Sequence, residues 1–215
     1  MSGCFATLYA INGNFKTAFL CIIAGAVFDF CDGLAARALK AYSPMGKELD
    51  SLADMVTFGV APAMIMYRFQ AEANFLIYLP LLIAVFSGLR LAKFNIDTRQ
   101  SENFIGLATP SCALICGSLI YASQMYPALH DFLIAKSYIV PMLSLVLCYL
   151  LVCELPMFSF KFKSLKWADN KARFIFLAIV AVLAIAVALM GLNWSVLVFA
   201  IFSVYIIVNL CHLPR

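Results

Sequence analysis

The chain has 215 residues, of which 65% are hydrophobic and 12% charged, whereas soluble domains run at roughly 45–50% apolar and about 25% charged. With a mean hydropathy of +0.97 it reads as an integral membrane protein, not a soluble one with a large core. Its net charge of +4, from 15 Lys and Arg against 11 Asp and Glu, suits membrane loops and says little about nucleic acid, and no nucleic-acid partner is expected.

A spanning helix needs about 20 apolar residues. The opening stretch SGCFATLYAI is too short for that, so the first helix of the bundle is expected to be only partly present. Seven full spans are predicted, over 15–38, 48–69, 74–94, 107–126, 134–155, 172–190 and 194–212. The connections are short and polar, among them KAYSPMGK, NIDTRQSEN, YPALHD and the basic KFKSLKWADNKAR. If successive spans alternate sides, Arg37, Lys40, Lys47, Arg90, Lys93, Arg99, Lys161, Lys163, Lys166, Lys171, Arg173 and Arg215 collect on one face and only Lys16, Arg68 and Lys136 on the other. The first face is therefore expected to be cytoplasmic. The eight cysteines are scattered, with no CxxC pair and no histidine near Cys112 and Cys116, so they read as free thiols, not a zinc site.

Against this background the segment DFCDGLAARALKAYSPMGKELDSLAD, Asp29 to Asp54, stands out. An Asp at the centre of a membrane helix costs about 2.5–3.5 kcal/mol and is a functional-site candidate by default. Asp29 and Asp32 are three residues apart, and Asp50 and Asp54 four apart, so each pair shares a helix face. A loop with Pro44 and Gly46 turns the chain back, and the four carboxylates can converge. Unpaired they would repel; a divalent cation removes the conflict, and hard oxygen ligands favour Mg2+ or Mn2+. Gly25, Gly33, Ala36 and Gly46 clear space beside them, and Arg37 and Ser43 lie where a phosphate could be held. The competing reading is helix packing through small residues, with the acids paired to Lys and Arg.

These residues resemble the signature of the CDP-alcohol phosphatidyltransferase family, D-x2-D-G-x2-A-R-x8-G-x3-D-x3-D, met at Asp29, Asp32, Gly33, Ala36, Arg37, Gly46, Asp50 and Asp54. The resemblance implies an all-α polytopic membrane bundle with a six-helix core over residues 2–155, followed over 156–215 by a basic loop and two additional transmembrane helices. It implies a homodimer and two divalent ions, Mg2+ or Mn2+. Asp29, Asp32 and Asp50 would hold the first ion, and Asp29, Asp50 and Asp54 the second, with Asp54 also the general base. Gly33, Ala36, Arg37, Ser43 and Gly46 would bind CDP-diacylglycerol.

Two further stretches, GKELDSLADMVTFGVAPA and RLAKFNIDTRQSENFIGLATP, resemble the serine-using branch of that family, with Lys93 replacing an Arg and Ala108 a common Pro. They imply L-serine as acceptor, met by Arg90, Lys93 and Asn95. With the basic residues collected on one face, the site is expected on the cytoplasmic side of a bacterial inner membrane. Within the family the alternatives are glycerol 3-phosphate or inositol. Outside it, the carboxylates could serve an ion transporter, although the acids lie in one hairpin near one face and no second half repeats them. His130, expected in an outer loop, and His212 have no partners in the sequence that would make them catalytic.

Overall fold

The computed structural model describes residues 1–40, 43–70, 75–96, 104–157 and 171–211. The basic loop with Trp167, most of NIDTRQSEN, and His212 lie outside the described residues. The architecture is helical: α1 (Ser2–Ile11), α2 (Phe15–Leu39), α3 (Pro44–Asp54) running through a π-helical segment (Met55–Val60) into α4 (Ala61–Phe69), a 3-10 turn (Phe75–Leu81) leading into α5 (Leu82–Ile96), then α6 (Thr109–Met125), α7 (Pro127–Ala135), α8 (Ile139–Val152), α9 (Lys171–Leu189) and α10 (Trp194–Cys211). Two short strands, β1 (Phe104–Ile105) and β2 (Pro156–Met157), pair antiparallel. Among the described residues three helical stretches are long and apolar enough to cross a membrane, Phe15–Leu39, Pro44–Phe69 and Phe75–Ile96, and the bent pair Thr109–Met125 and Pro127–Ala135 would make a fourth if it forms one span. This is a polytopic all-α membrane protein.

Local chemistry explains the boundaries. Asn14 caps α2 by accepting from the Thr17 amide at 3.1 Å, and Lys40 closes it in the left-handed conformation with φ 52°. Ser43 caps α3 by accepting from the Gly46 amide at 2.9 Å, and Pro44 occupies the first turn, where its missing amide costs nothing. The predicted span 48–69 therefore begins earlier, at Pro44.

Elsewhere the structure departs from the sequence reading. YPALHD, read as a turn, forms α7, because Pro127 starts a helix as readily as it ends one. The bend between α6 and α7 is 115°. His130 thus sits on a short helix, edge-on to Phe69 at 5.6 Å. The span expected over 134–155 shortens to the 14 residues of α8.

The opening stub is an ordered helix, tied down by its small residues. Gly3, Ala6 and Ala10 are buried. A Cβ on Gly3 would stand 2.7 Å from the backbone N and Cα of Thr57, and a Cβ on Gly25 2.5 Å from Thr57 Cγ2. Helices α1 and α2 and the π segment therefore meet around Thr57 with no room for another methyl. Ser2 adds a hydrogen bond from its hydroxyl to the Cys21 carbonyl.

The C-terminal pair docks on this core. Trp194 at the start of α10 stacks on Phe19 of α2 at 5.4 Å, and lies 5.5 Å from Tyr121 of α6. Tyr205, further along α10, meets Phe176 of α9 edge-on at 6.0 Å. Helices α6 and α10 run antiparallel, pairing the end of α6 with the start of α10.

Gly3→Val should lower the thermal unfolding midpoint in detergent by the equivalent of about 1–3 kcal/mol, the usual cost of overpacking. Cys4→Val, at the exposed neighbouring position, should not. Equal midpoints for the two variants would show that α1 does not press on Thr57.

Candidate active site

The site forms where α2 and α3 pass each other in opposite directions. Gly25 faces Thr57, and one turn further along α2 Asp29 faces α3. One carboxylate oxygen from each of Asp29, Asp50 and Asp54 lies within 4.8 Å of the other two. Asp29 and Asp54 are half-buried, while Asp50 is exposed. Asp32, one turn after Asp29, is exposed and stands outside this trio, though its charge reaches both Asp29 and Asp50. The convergence expected from the 3- and 4-residue spacings is therefore present for three aspartates, with the fourth at its rim.

The described residues do not neutralise this charge. The ion pairs Lys93 to Glu154 at 3.3 Å and His130 to Asp131 at 3.4 Å both lie elsewhere. Arg90 is close enough for its charge to be felt at Asp54, but it is not in ion-pair contact. The reading in which the acids are held by Lys and Arg is not met. Three unpaired carboxylates from two helices, with one oxygen each turned to a common point, are a donor set suited to a divalent cation.

The other expected site residues fall into two groups. On the hairpin, a Cβ on Gly33 would meet nothing within 4 Å, so open space lies beside the carboxylates. Arg37 is exposed and folds back along α2, its Nε donating to the Gly33 carbonyl at 2.9 Å. Ala36 is half-buried on the same helix. Ser43 and Gly46 are joined by the α3 cap described above, so both hold the turn in shape. On α5, Arg90 is buried, at 7% exposure, and lies over the Phe94 ring at 5.8 Å. Lys93 is turned to Glu154. Asn95 ties α5 to α3: its Nδ2 donates to Ser51 Oγ at 2.9 Å and its backbone carbonyl accepts from Lys47 Nζ at 3.0 Å.

One feature had no signal in the residue spacing. Immediately after Asp54 the chain widens into the π segment, and such bulges are common at functional sites. The extra residue per turn shifts the face of α3 that carries Asp50 and Asp54 relative to the buried face of α4. Ser87 and Thr109, both buried, likewise carry no sequence signal, since a lone hydroxyl in an apolar run makes no pattern.

Residues 1–152 match the sequence profile of CDP-alcohol phosphatidyltransferases. The chain belongs to the CDP-alcohol phosphatidyltransferase family. Among its relatives is the CDP-diacylglycerol–serine O-phosphatidyltransferase of Bacillus subtilis, 46% identical over 99 residues, 45% of this chain and 56% of the relative. The enzyme of that name in Helicobacter pylori strain J99 is 36% identical over 129 residues, 58% of this chain and 54% of the relative. The one in Mycobacterium bovis is 34% identical over 224 residues, 99% of this chain and 73% of the relative. The matches to the first two thus span about half of those relatives' length. The family is divalent-metal dependent, and the described residues of this chain hold an acidic cluster.

Asp50→Asn should raise the unfolding midpoint of metal-free protein, because it removes repulsion within the trio. The same change should abolish the further rise that millimolar Mn2+ or Mg2+ gives the wild type. A wild-type midpoint indifferent to both ions, measured after chelator treatment and dialysis, would exclude a cation site at these carboxylates.

Proposed function

We propose that this protein transfers the phosphatidyl group of CDP-diacylglycerol to the hydroxyl of L-serine, giving phosphatidylserine and CMP. The observation that carries the reading is the convergence of Asp29, Asp50 and Asp54 within 4.8 Å on the hairpin that bears the whole family signature. The names of the relatives support the serine assignment.

In this reading Asp29, Asp32 and Asp50 hold one divalent ion and Asp29, Asp50 and Asp54 a second, Mg2+ or Mn2+. When bound, the ions neutralise the diphosphate and stabilise the departing CMP. The residues of the chain do the rest. The open space beside Gly33 admits the diphosphate to the backbone of α2, with Ala36 continuing the small-residue floor. Arg37 swings from the Gly33 carbonyl to a phosphate oxygen. Ser43 and Gly46 fix the turn through which the headgroup enters. Asp54 accepts the serine hydroxyl proton as the serine oxygen bonds to the phosphatidyl phosphorus. The bond from that phosphorus to the bridging oxygen breaks, and CMP leaves with the electron pair. Phosphoryl transfer of this kind is mostly positioning and charge neutralisation, and the half-buried setting of Asp54 keeps water from competing for its proton.

Arg90, level with Asp54, takes the serine carboxylate. Lys93 and Asn95 flank that subsite through their contacts to Glu154 and Ser51. The acyl chains stay in the bilayer. The distribution of basic residues favours a site on the cytoplasmic face, and the family resemblance favours a homodimer in a bacterial inner membrane.

Purified protein given CDP-diacylglycerol and Mn2+ or Mg2+ should release CMP on addition of L-serine, and far less with glycerol 3-phosphate, inositol or ethanolamine. Ethanolamine would leave the buried guanidinium unpaired, a loss of about tenfold or more. A better rate with glycerol 3-phosphate would keep the family and overturn the serine assignment.

Asp54→Asn should cut kcat by about 100-fold or more, as expected for a lost general base, while CDP-diacylglycerol still binds. Normal turnover in this variant would remove Asp54 from the proton transfer.

A further inference from the structure

Four buried side chains of the described residues carry an atom with no hydrogen-bond partner: Ser87 Oγ, Arg90 Nε, Thr109 Oγ1 and Ser195 Oγ. Interiors pair nearly all such atoms. Ser195 lies beside Trp194, at the end of α10 that packs on Phe19. The other three belong to one layer at the opposite end of the bundle, as the helix registers show.

On α5, Ser87 and Arg90 are three apart and share a face. A Cβ on Gly59 would stand 3.0 Å from Ser87 Cβ, while Asn95 bonds Ser51. Helices α3 and α5 are therefore antiparallel with Arg90 level with Asp54, and the charge of Arg90 reaches Asp54, Cys112 and Tyr205. Thr109 is one turn before Cys112 on α6. Because α10 runs antiparallel to α6, with Trp194 by Tyr121, Tyr205 comes level with Thr109 and Cys112. Tyr205 is 5% exposed, and Asn209, one turn on, donates to its carbonyl at 2.7 Å.

We propose that Ser87 and Thr109 join Arg90 in a buried subsite for the carboxylate and ammonium of an amino-acid acceptor, and that Tyr205 of α10 forms its far wall. A guanidinium with two unpaired buried hydroxyls in the same layer matches a zwitterion. The Arg90 donors take the carboxylate, and the Ser87 and Thr109 oxygens accept from the ammonium. The acceptor hydroxyl is left directed at Asp54, the neighbour of Arg90 on the metal side. Helix α10 lies beyond the 1–152 family match, so a segment outside the shared core takes part in choosing the acceptor. This inference rests on the serine reading above.

The test measures CMP release by the full-length protein in lipid nanodiscs, with CDP-diacylglycerol and Mn2+ and with L-serine varied. Ser87→Ala and Thr109→Val should each raise the KM for serine by about tenfold, the effect of losing one hydrogen bond to a charged ligand, and Tyr205→Ala, which removes the far wall, should raise it as well. The KM for CDP-diacylglycerol should not move. The unfolding midpoints of Ser87→Ala and Thr109→Val should hold or rise, because each change removes an unpaired buried hydroxyl, and Thr109→Ser should restore the low KM.

If the wild type uses serine and the variants keep its KM, the subsite is overturned and the serine reading stands. An unchanged KM in Tyr205→Ala alone would overturn the role of α10. If the wild type releases no CMP with serine, the serine reading falls and takes the subsite with it. Should a variant fail to fold, the wild type decides: L-serine should protect it against thermal unfolding and ethanolamine should not, and equal protection by the two would overturn the subsite.

Discussion

Like charge held together in an apolar phase is the constraint on which this structure depends. Three carboxylate oxygens within 4.8 Å of one another repel by about 1 kcal/mol per charged pair in water and about 3.5 kcal/mol at an effective dielectric of 20. Asp50, being exposed, lies towards the low end and the half-buried Asp29 and Asp54 towards the high end. Among the described residues no basic side chain pairs with these acids, an arrangement suited to an external cation.

The remaining architecture holds the two carboxylate helices at the distance this requires. Backbones approach closely at Gly3 and Gly25 around Thr57, and this fixes α2 against the chain just beyond Asp54. The cap from Ser43 to Gly46 and the Lys40 terminus shape the turn on the other side. The link from Asn95 to Ser51 holds α3 from the side of α5. The site is thus pinned from three directions, while its own helix α3 buries no residue at all. That leaves the surface between Gly33 and the carboxylates open to a large headgroup.

A second polar layer faces the first. Arg90 is buried on α5, and its charge reaches Asp54, Cys112 of α6 and Tyr205 of α10. Positive and negative groups are set side by side without closing into an ion pair, and this keeps both available to ligands of opposite charge. On the reading proposed above, that separation would leave a diphosphate on one side and an acceptor within reach of a base on the other.

The aspartate signature determined much by itself. Fixed offsets of three and four residues place each acid pair on one helix face whatever the surroundings, and a turn residue pair between them returns the chain. Family and carboxylate convergence were therefore legible from Asp29 to Asp54, as was the membrane setting from composition. Tertiary structure decided which acids share a point and which one stands at the rim, because that depends on the rotation of α2 against α3 and not on spacing within either. It also decided that the opening stub is a packed helix, that YPALHD is helical, that a π segment follows Asp54, and that α10 lies against α6. Ser87 and Thr109 became visible only there, since a hydroxyl in an apolar run gains meaning from what it fails to bond once the helices around it are in place.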